Sequence, residues 1–351
     1  DRLKDLPEQS INTCITSPMK DMLPFPINRS SEKDAHLDFA RLKEISFMDL
    51  FVQKEWKSRS ELDPAYVVPY VIKRNNVGNK SSDFYHWNVR MACDSANSPS
   101  PIRSWYDRKI RKSVENCIYY EDDPKTALAL RKYIPPQFRP SAAKALYELF
   151  NAKRIYDPCG GWGDRLSAAL ASNAEEYHCR DVNPLVFGGY ALQQMQLPSD
   201  CHASFEYRGS EIDAPQTNHY DLVFTSPPYY KIEKYHGDNQ SFRKYKACDE
   251  WLEGFLFPMI SHAWNSVEHG GHVLMNISDC YVNHTYNKLC MPLIEHCLDK
   301  LDGCRVLGII GYQITSRSKN GVNAEPIIIF QKGGGKDLLD LLPKDDQGSL
   351  F

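Results

Sequence analysis

The chain has 351 residues, 42% hydrophobic and 25% charged, with a net charge of −3. These are ordinary globular values, enough for a sizeable core in one or two domains. The balance sets aside a chain that is basic throughout, and no run of about 18 apolar residues reads as a transmembrane helix.

No signal-peptide pattern opens the chain, and its first residue is Asp1 rather than Met, so a fragment or a processed form is expected. Eleven cysteines occur without a CxxC pair, which leaves zinc-ribbon and thioredoxin-like motifs unsupported. Scattered cysteines with no signal peptide point to a reducing, intracellular setting. Cys290, Cys297 and Cys304 read as small apolar residues on a helix face. Charge is unevenly spread. Residues 1–140 carry 23 Lys and Arg against 19 Asp and Glu, and the remainder carries 19 against 26.

In chain order, residues 1–35 are polar and proline-punctuated and read as an arm. Within it, Ser10–Lys20 (SINTCITSPMK) echoes a later strand and turn but breaks off at Met19. The spacing predicts an amphipathic helix over Phe39–Lys57. DPAYVVPYVIKR reads as an edge strand or a loop, and NNVGNKSSD (Asn75–Asp83) as a turn-rich loop. The densest basic stretch is Arg103–Lys112, RSWYDRKIRK. Arg103 and Lys109 beside Trp105 and Tyr106 suit phosphate contact and base stacking, while a solvated helix face serves the same residues equally well.

From about residue 137 the pattern changes. PSAAKALYELF is helical, KRIYD a strand, and GGWGDRLSAALAS a glycine turn entering a helix. EYHCRDVNP, ASFEYRGS, YDLVFTSPP and HVLMNISD supply further strands, separated by the helical stretches PLVFGGYALQQM and DEWLEGFLFPMISHAWNSVEHGG. The second of these is expected to end at Gly270-Gly271 as a C-cap. YNKLCMPLIEHCLDKL is a helix, CRVLGIIGYQI and AEPIIIFQK are strands, and residues 333–351 form a tail. Strands alternating with helices imply a doubly wound, Rossmann-like α/β sheet with helices on both faces. The boundaries follow: an N-terminal helix- and loop-rich region over 1–136, the α/β domain over 137–332, and the tail.

Ligands in such sheets bind outside the carboxyl ends of the strands. YDPCGGWGD (Tyr156–Asp164) follows the first strand there and opens a helix. It is neither GxGxxG nor a P-loop, which disfavours a pyrophosphate cradle. Asp157 offers a carboxylate at the strand tip, and Asp181 ends the second strand, placed to grip a ribose diol. A glycine turn plus a ribose acid without a phosphate loop fits a nucleoside-like cofactor, S-adenosylmethionine (SAM) above all. The fourth strand ends in Ser226-Pro227-Pro228-Tyr229. A serine oxygen and a proline carbonyl can accept the two N–H bonds of an exocyclic base amine and turn its lone pair toward a methyl group. Rigid prolines hold those acceptors in place, and Tyr229 can stack on the base. In a duplex the base must first be flipped out.

DPCGGWGD followed by TSPPY resembles the SAM-dependent amino-methyltransferases that modify cytosine N4 or adenine N6 in DNA, in their bacterial, phage and large-virus type. The resemblance extends through SPPYYKIEKYHGDNQS, GGHVLMNISD and EPIIIFQK and covers about residues 137–332. It implies a cofactor loop of Asp157, Pro158, Cys159, Gly160, Gly161, Gly163 and Asp164, with Asp181 as the ribose acid. It also implies that Ser210 and Glu211 lie beside the adenine, that Phe138 and Pro140 pack over the methionine end, and that Ser226–Tyr229 form the catalytic corner. Two residues depart from the family pattern: Cys159 replaces an aromatic and Trp162 a small residue. Only about sixty residues separate the cofactor loop from the catalytic corner, too few for a recognition domain. Target recognition is then expected from residues 1–136 with the Lys231–Lys246 segment. There Lys231, Lys234, Arg243 and Lys244 could meet phosphates and Tyr235 and Tyr245 could stack, with Tyr230 just before them as a further substrate contact; a mobile charged loop serves the same residues equally well. The resemblance implies a DNA partner, with RNA as an alternative. The cysteines suggest an intracellular location and the absence of a long apolar run no membrane. His236 with the other histidines shows no metal spacing, so no metal is expected for a direct methyl transfer. Ser226 favours cytosine N4; adenine N6 on DNA or RNA and a catalytically silent nucleic-acid-binding module are the alternatives.

Overall fold

The computed structural model describes residues 24–96, 98–107, 109–111, 113–114, 124–282, 284–314 and 321–344. Most of the Ser10–Lys20 arm motif's neighbourhood, the motif itself, and the basic residues Arg108 and Lys112 lie outside them.

Helix α1 (Glu32–Glu44) starts where Ser31 accepts the amide of Asp34 at 3.1 Å. The helix expected over Phe39–Lys57 therefore begins earlier and stops at Glu44. Beyond it, the apolar residues of β1 (Phe51–Gln53) and β2 (Trp56–Lys57) take strand partners, Phe51 opposite Ile72 and Trp56 opposite Val322. Long-range pairing overrides helical spacing there. β3 (Val67–Ile72) pairs antiparallel with β1.

Helix α2 (Asn79–Met91) begins inside the stretch read as a turn-rich loop. Gly78 takes φ +92° at its start, and the Asp38 carboxylate on α1 accepts the amides of Gly78 (3.0 Å) and Lys80 (2.9 Å). A cap supplied from another helix leaves no local mark in the sequence. Then come β4 (Asp94–Ser95), α3 (Pro101–Tyr106) and α4 (Pro124–Arg131).

The alternating half follows as α5 (Pro140–Leu149), β5 (Arg154–Asp157), α6 (Asp164–Leu170), β6 (Glu176–Asp181), α7 (Phe187–Gln196), β7 (His202–Tyr207) and β8 (Tyr220–Thr225). β9 (Glu233–Lys234) pairs back with β4. The long helix expected over Asp249–Gly271 is broken by a π turn at Leu252–Leu256, continues as α8 (Phe257–Ser266), and ends four residues early. Val267 already opens β10 (Val267–Asn276), and Gly270, φ +87°, lies at a register shift in that strand rather than at a helix end. The hairpin of β11 (Cys280–Val282) and β12 (Thr285–Asn287), helix α9 (Cys290–Lys300), β13 (Cys304–Gln313) and β14 (Val322–Lys332) complete the unit. Cys290 and Cys297 are buried on α9, while Cys304 opens β13 instead of sharing that helix face.

The sheet order is β1-β3-β13-β14-β10-β8-β5-β6-β7, with β2 joined to β14. β10, β8, β5, β6 and β7 run parallel, and β14 runs against β10 and β13 but parallel to β2. Side chains alternate between two cores. Leu222, Phe224, Leu274, Ile327 and Ile329 meet α5–α7 on one face. Val223, Val273, Met275, Ile328 and Phe330 meet α8 and α9 on the other. The Rossmann-like α/β sheet with helices on both faces is thus present. β1 and β3 extend the same sheet, parallel pairing joining β3 to β13, so the sheet itself crosses residue 136. Among the described residues no helix is long and apolar enough to cross a membrane.

Candidate functional site

After β5 the chain builds outward through β6 and β7, then returns to lay β8 on the other side of β5. Loops leaving β5 and β8 therefore part at their carboxyl ends, the switch point where such sheets hold ligands. A cleft lies there, between the turn after β5 and the corner after β8. Of the residues singled out from sequence, Pro158, Cys159, Gly161, Asp181, Ser210, Glu211, Ser226, Pro228 and Tyr235 line it.

The glycine turn forms one wall. Gly161 and Gly163 adopt φ +60° and +68°, conformations that glycine takes without steric cost. Gly161 N–H donates to Asp181 Oδ2 at 2.8 Å, and Asn183 N–H to Oδ1 at 2.7 Å. Burial pushes the Asp181 carboxyl up to about 6, against the pull of these amides. Oδ1 keeps a lone pair for a further donor, while Oδ2 also has the Tyr190 hydroxyl 3.5 Å away. Ser210 is buried, giving its proton to Pro158 O at 2.6 Å and accepting from Tyr156 at 3.1 Å. Glu211 pairs with Lys244 at 2.8 Å across the cleft mouth.

Several expected cofactor residues shape this wall from behind. Asp157 is fully buried, held by Arg165 (2.7 Å), Tyr177 (2.7 Å) and Thr225 (2.8 Å). Gly160 sits where a Cβ would lie 2.7 Å from the Tyr190 hydroxyl and 2.8 Å from Cys179 Sγ. Gly163 is backed by Gln193 and His86. Asp164 turns away toward α2, accepting from Ser82 and, at 3.0 Å, from Gln137. Burial holds its carboxyl up at about 7. Phe138 stacks on Tyr312, ring centres 4.6 Å apart, and Pro140 is buried at the start of α5, so neither lines the cleft.

The opposite wall is the Ser226–Tyr229 corner. Ser226 Oγ donates to Asn276 Oδ1 at 3.3 Å, and the Tyr229 hydroxyl lies 3.1 Å from the same atom and 3.3 Å from Glu325 Oε2. Pro227 is buried, and Tyr229 packs against the second core outside the cleft lining. Tyr230, φ +55°, is buried with its hydroxyl on Lys246 O at 2.6 Å, and Lys231 donates to that same carbonyl. Tyr235 reaches the cleft, its ring 5.4 Å from that of Trp162. Lys234 and Lys109 are exposed, and Arg103 is paired with Asp94 at 2.6 Å. None of these three lines the cleft.

Trp162, noted from sequence as a departure in the glycine turn, lines the cleft as well, and Asn183, Arg208, Gln240, Ser241 and Phe255 do so without having been placed there from sequence. Asn276 and Glu325 were missed too. Their signal is a polar residue at the end of an apolar strand, the Asn of HVLMN and the Glu of EPIIIF.

No protein-family model matches the chain, and no curated protein matches it. Among solved structures, an S-adenosylmethionine-dependent O-methyltransferase from Thermotoga maritima is similar at 11% identity, covering 57% of this chain and 69% of that one, with a TM-score of 0.36. TrmN from Thermus thermophilus matches at 17% identity, 55% and 48% coverage and a TM-score of 0.35. An rRNA methylase from Streptococcus thermophilus matches at 13% identity, 57% and 99% coverage and a TM-score of 0.35. The chain thus spans about half the length of TrmN.

Proposed function

We propose that the protein is a SAM-dependent methyltransferase acting on the exocyclic amine of a nucleobase, cytosine N4 in DNA. The observation that carries this reading is one cleft with Gly161 and Asp181 on one wall and Ser226 and Pro228 on the other. The residues present fit the cofactor. Asp181 Oδ1 has a lone pair left for a ribose diol, the left-handed glycines let backbone approach a ligand closely, and Glu211 and Ser210 lie along the same wall. When bound, SAM supplies an electrophilic methyl group. Ser226 Oγ and the Pro227 carbonyl would accept the two N–H bonds of the substrate amine, which aims its nitrogen lone pair across the cleft. Buried Pro227 and its neighbour Pro228 keep those acceptors from moving.

Residues 1–136 would supply target recognition together with the segment 231–246. β4 and β9 tie the two: Asp94 pairs with Lys234, Tyr133 bonds Glu233 at 2.5 Å, and Arg103 leans on Asp94. Lys234 on that ribbon and Lys109, both exposed, would serve as phosphate contacts.

The test is methyl transfer from labelled SAM to mixed-sequence DNA and RNA, single- and double-stranded, followed by nucleoside mass spectrometry. N4-methylcytosine in DNA is the expected product. N6-methyladenine, or product on RNA alone, would replace the substrate and keep the reaction. Absence of both transfer and SAM binding would sink the enzyme reading in favour of a silent nucleic-acid-binding module.

A further inference from the structure

Asn276 ends β10 with 1% of its surface exposed. Its Nδ2 donates to Pro326 O at 3.1 Å, and that bond fixes which way the amide faces. Oδ1 is left facing Ser226 and Tyr229. An amide oxygen only accepts hydrogen bonds, and a serine hydroxyl has a single proton to give. The Ser226 proton is therefore turned into the Asn276–Tyr229 cluster, with Asn276 Oδ1 as its acceptor at 3.3 Å, which leaves Oγ lone pairs for a ligand in the cleft.

This one-way arrangement bears on amine chemistry. A freely rotating serine presents either its proton or its lone pairs to a substrate amine. Donation to the amine nitrogen would occupy the lone pair that must attack, whereas acceptance of an N–H bond leaves it free. Tyr229 and Glu325 complete the surroundings. Burial raises both groups, so Tyr229 stays protonated and donates into the same cluster.

We infer that Asn276 is a positioning residue that fixes Ser226 as a hydrogen-bond acceptor toward the substrate amine, an inference that rests on the amine-methylation reading above. Asn276 touches neither substrate nor cofactor in this role; it acts through Ser226.

The experiment compares the wild type with Asn276→Ala, Asn276→Asp, Ser226→Ala and the Ser226→Ala/Asn276→Ala double variant. Each is assayed for kcat and KM on the target base, and for S-adenosylhomocysteine affinity by calorimetry. Asn276→Ala should lower kcat about 10- to 100-fold, the loss expected for one oriented hydrogen bond, with KM and S-adenosylhomocysteine affinity changed less than threefold. Asn276→Asp retains an acceptor toward Ser226 and should recover to within about tenfold of wild type. The double variant should be no slower than Ser226→Ala alone, because the two side chains act as one unit. Should Asn276→Ala not fold, Asn276→Leu, which fills the site, takes its place in the same comparison. An Asn276→Ala kcat within twofold of wild type overturns the inference. So does Asn276→Asp as slow as Asn276→Ala, additive losses in the double variant, or an equal loss of S-adenosylhomocysteine affinity. A wild-type chain that transfers no methyl overturns the reaction and the inference together; an active wild type with any of the preceding results overturns the inference alone.

Discussion

Asp157 and Arg165 form a buried ion pair beneath the glycine turn, Nε to Oδ2 2.7 Å, with side-chain exposures of 0% and 5%. Arg165 also donates to Cys159 O, so the pair holds the turn from below. Tyr177 on β6 and Thr225 on β8 bond the same carboxylate, so Asp157 ties three neighbouring strands together at their carboxyl ends. A strand-tip carboxylate that reads as a ligand contact is thereby a structural hub one layer behind the cleft.

Breaking that pair should be costly. Removal of one partner strands a buried charge, at about 3–5 kcal/mol. Asp157→Ala and Arg165→Met should each lower the urea midpoint accordingly, and the variant lacking both side chains should lose less than the sum. Single variants within about 1 kcal/mol of wild type would contradict this account.

The division between legible and hidden features follows from which interactions are local. The glycine turn, Asp181 and the Ser-Pro-Pro corner stand at ends of apolar strands, so their placement at one edge follows from strand periodicity and sheet rules. Their depth does not. Whether Asp157 or Asp181 faces the ligand depends on Arg165 turning back from the following helix. Asn276 and Glu325 come from about 50 and 100 residues after Ser226, joined to it by sheet register alone. The same holds for α2, whose start is capped by Asp38 from another helix. The early end of α8 reflects pairing of Val267 with Tyr220, which helical spacing through Gly270 conceals.

Asp164 should make stability depend on pH. Its carboxyl is held at about 7 by burial, above the ordinary value of about 4. Between those values the native chain keeps a proton that the unfolded chain has lost. Its stabilising contribution is full below about pH 4 and is lost as pH rises through about 7. Asp164→Asn keeps an oxygen for Ser82 and Gln137 but cannot ionise. Its stability relative to wild type should therefore rise from pH 4 to pH 7, measured by urea unfolding at each pH. Parallel curves would show that Asp164 is not the titrating group.

Gly163 is the tightest point of the turn. Its φ of +68° disfavours any L side chain, and an added Cβ would lie 2.6 Å from His86 Nε2 with Gln193 closer still. His86 and Gln193 are themselves buried and bonded to each other at 2.7 Å, so neither can easily give way. Gly163→Ala should cost about 1–3 kcal/mol and loosen α2 from the turn. Hydrogen exchange in residues 79–91 should rise in this variant. Unchanged protection there would mean that the turn and α2 are not coupled.

Asp181 and Glu211 are the carboxylates lining the cleft, and Asp181, the one held by the glycine turn, should govern cofactor affinity through its protonation state. A hydrogen bond from a hydroxyl to a charged acceptor contributes about 1.5–3 kcal/mol. Asp181→Ala should therefore weaken S-adenosylhomocysteine binding about 10- to 100-fold in calorimetry. Burial places this carboxyl near 6, so the ionised acceptor predominates above that pH and is lost below it. Wild-type affinity should fall as pH drops through about 6, by at most tenfold per unit for a single proton. The Ala variant should show no such fall, since it has no carboxyl to protonate there. Two amides, from Gly161 and Asn183, already hold the carboxylate in place, so the loss in the variant includes some loosening of the turn. The pH profile separates the two effects. Loosening alone would weaken binding equally at pH 5 and pH 8, whereas loss of the charged acceptor narrows the gap between wild type and variant at pH 5. A gap of constant size across that range would remove Asp181 from the ribose role.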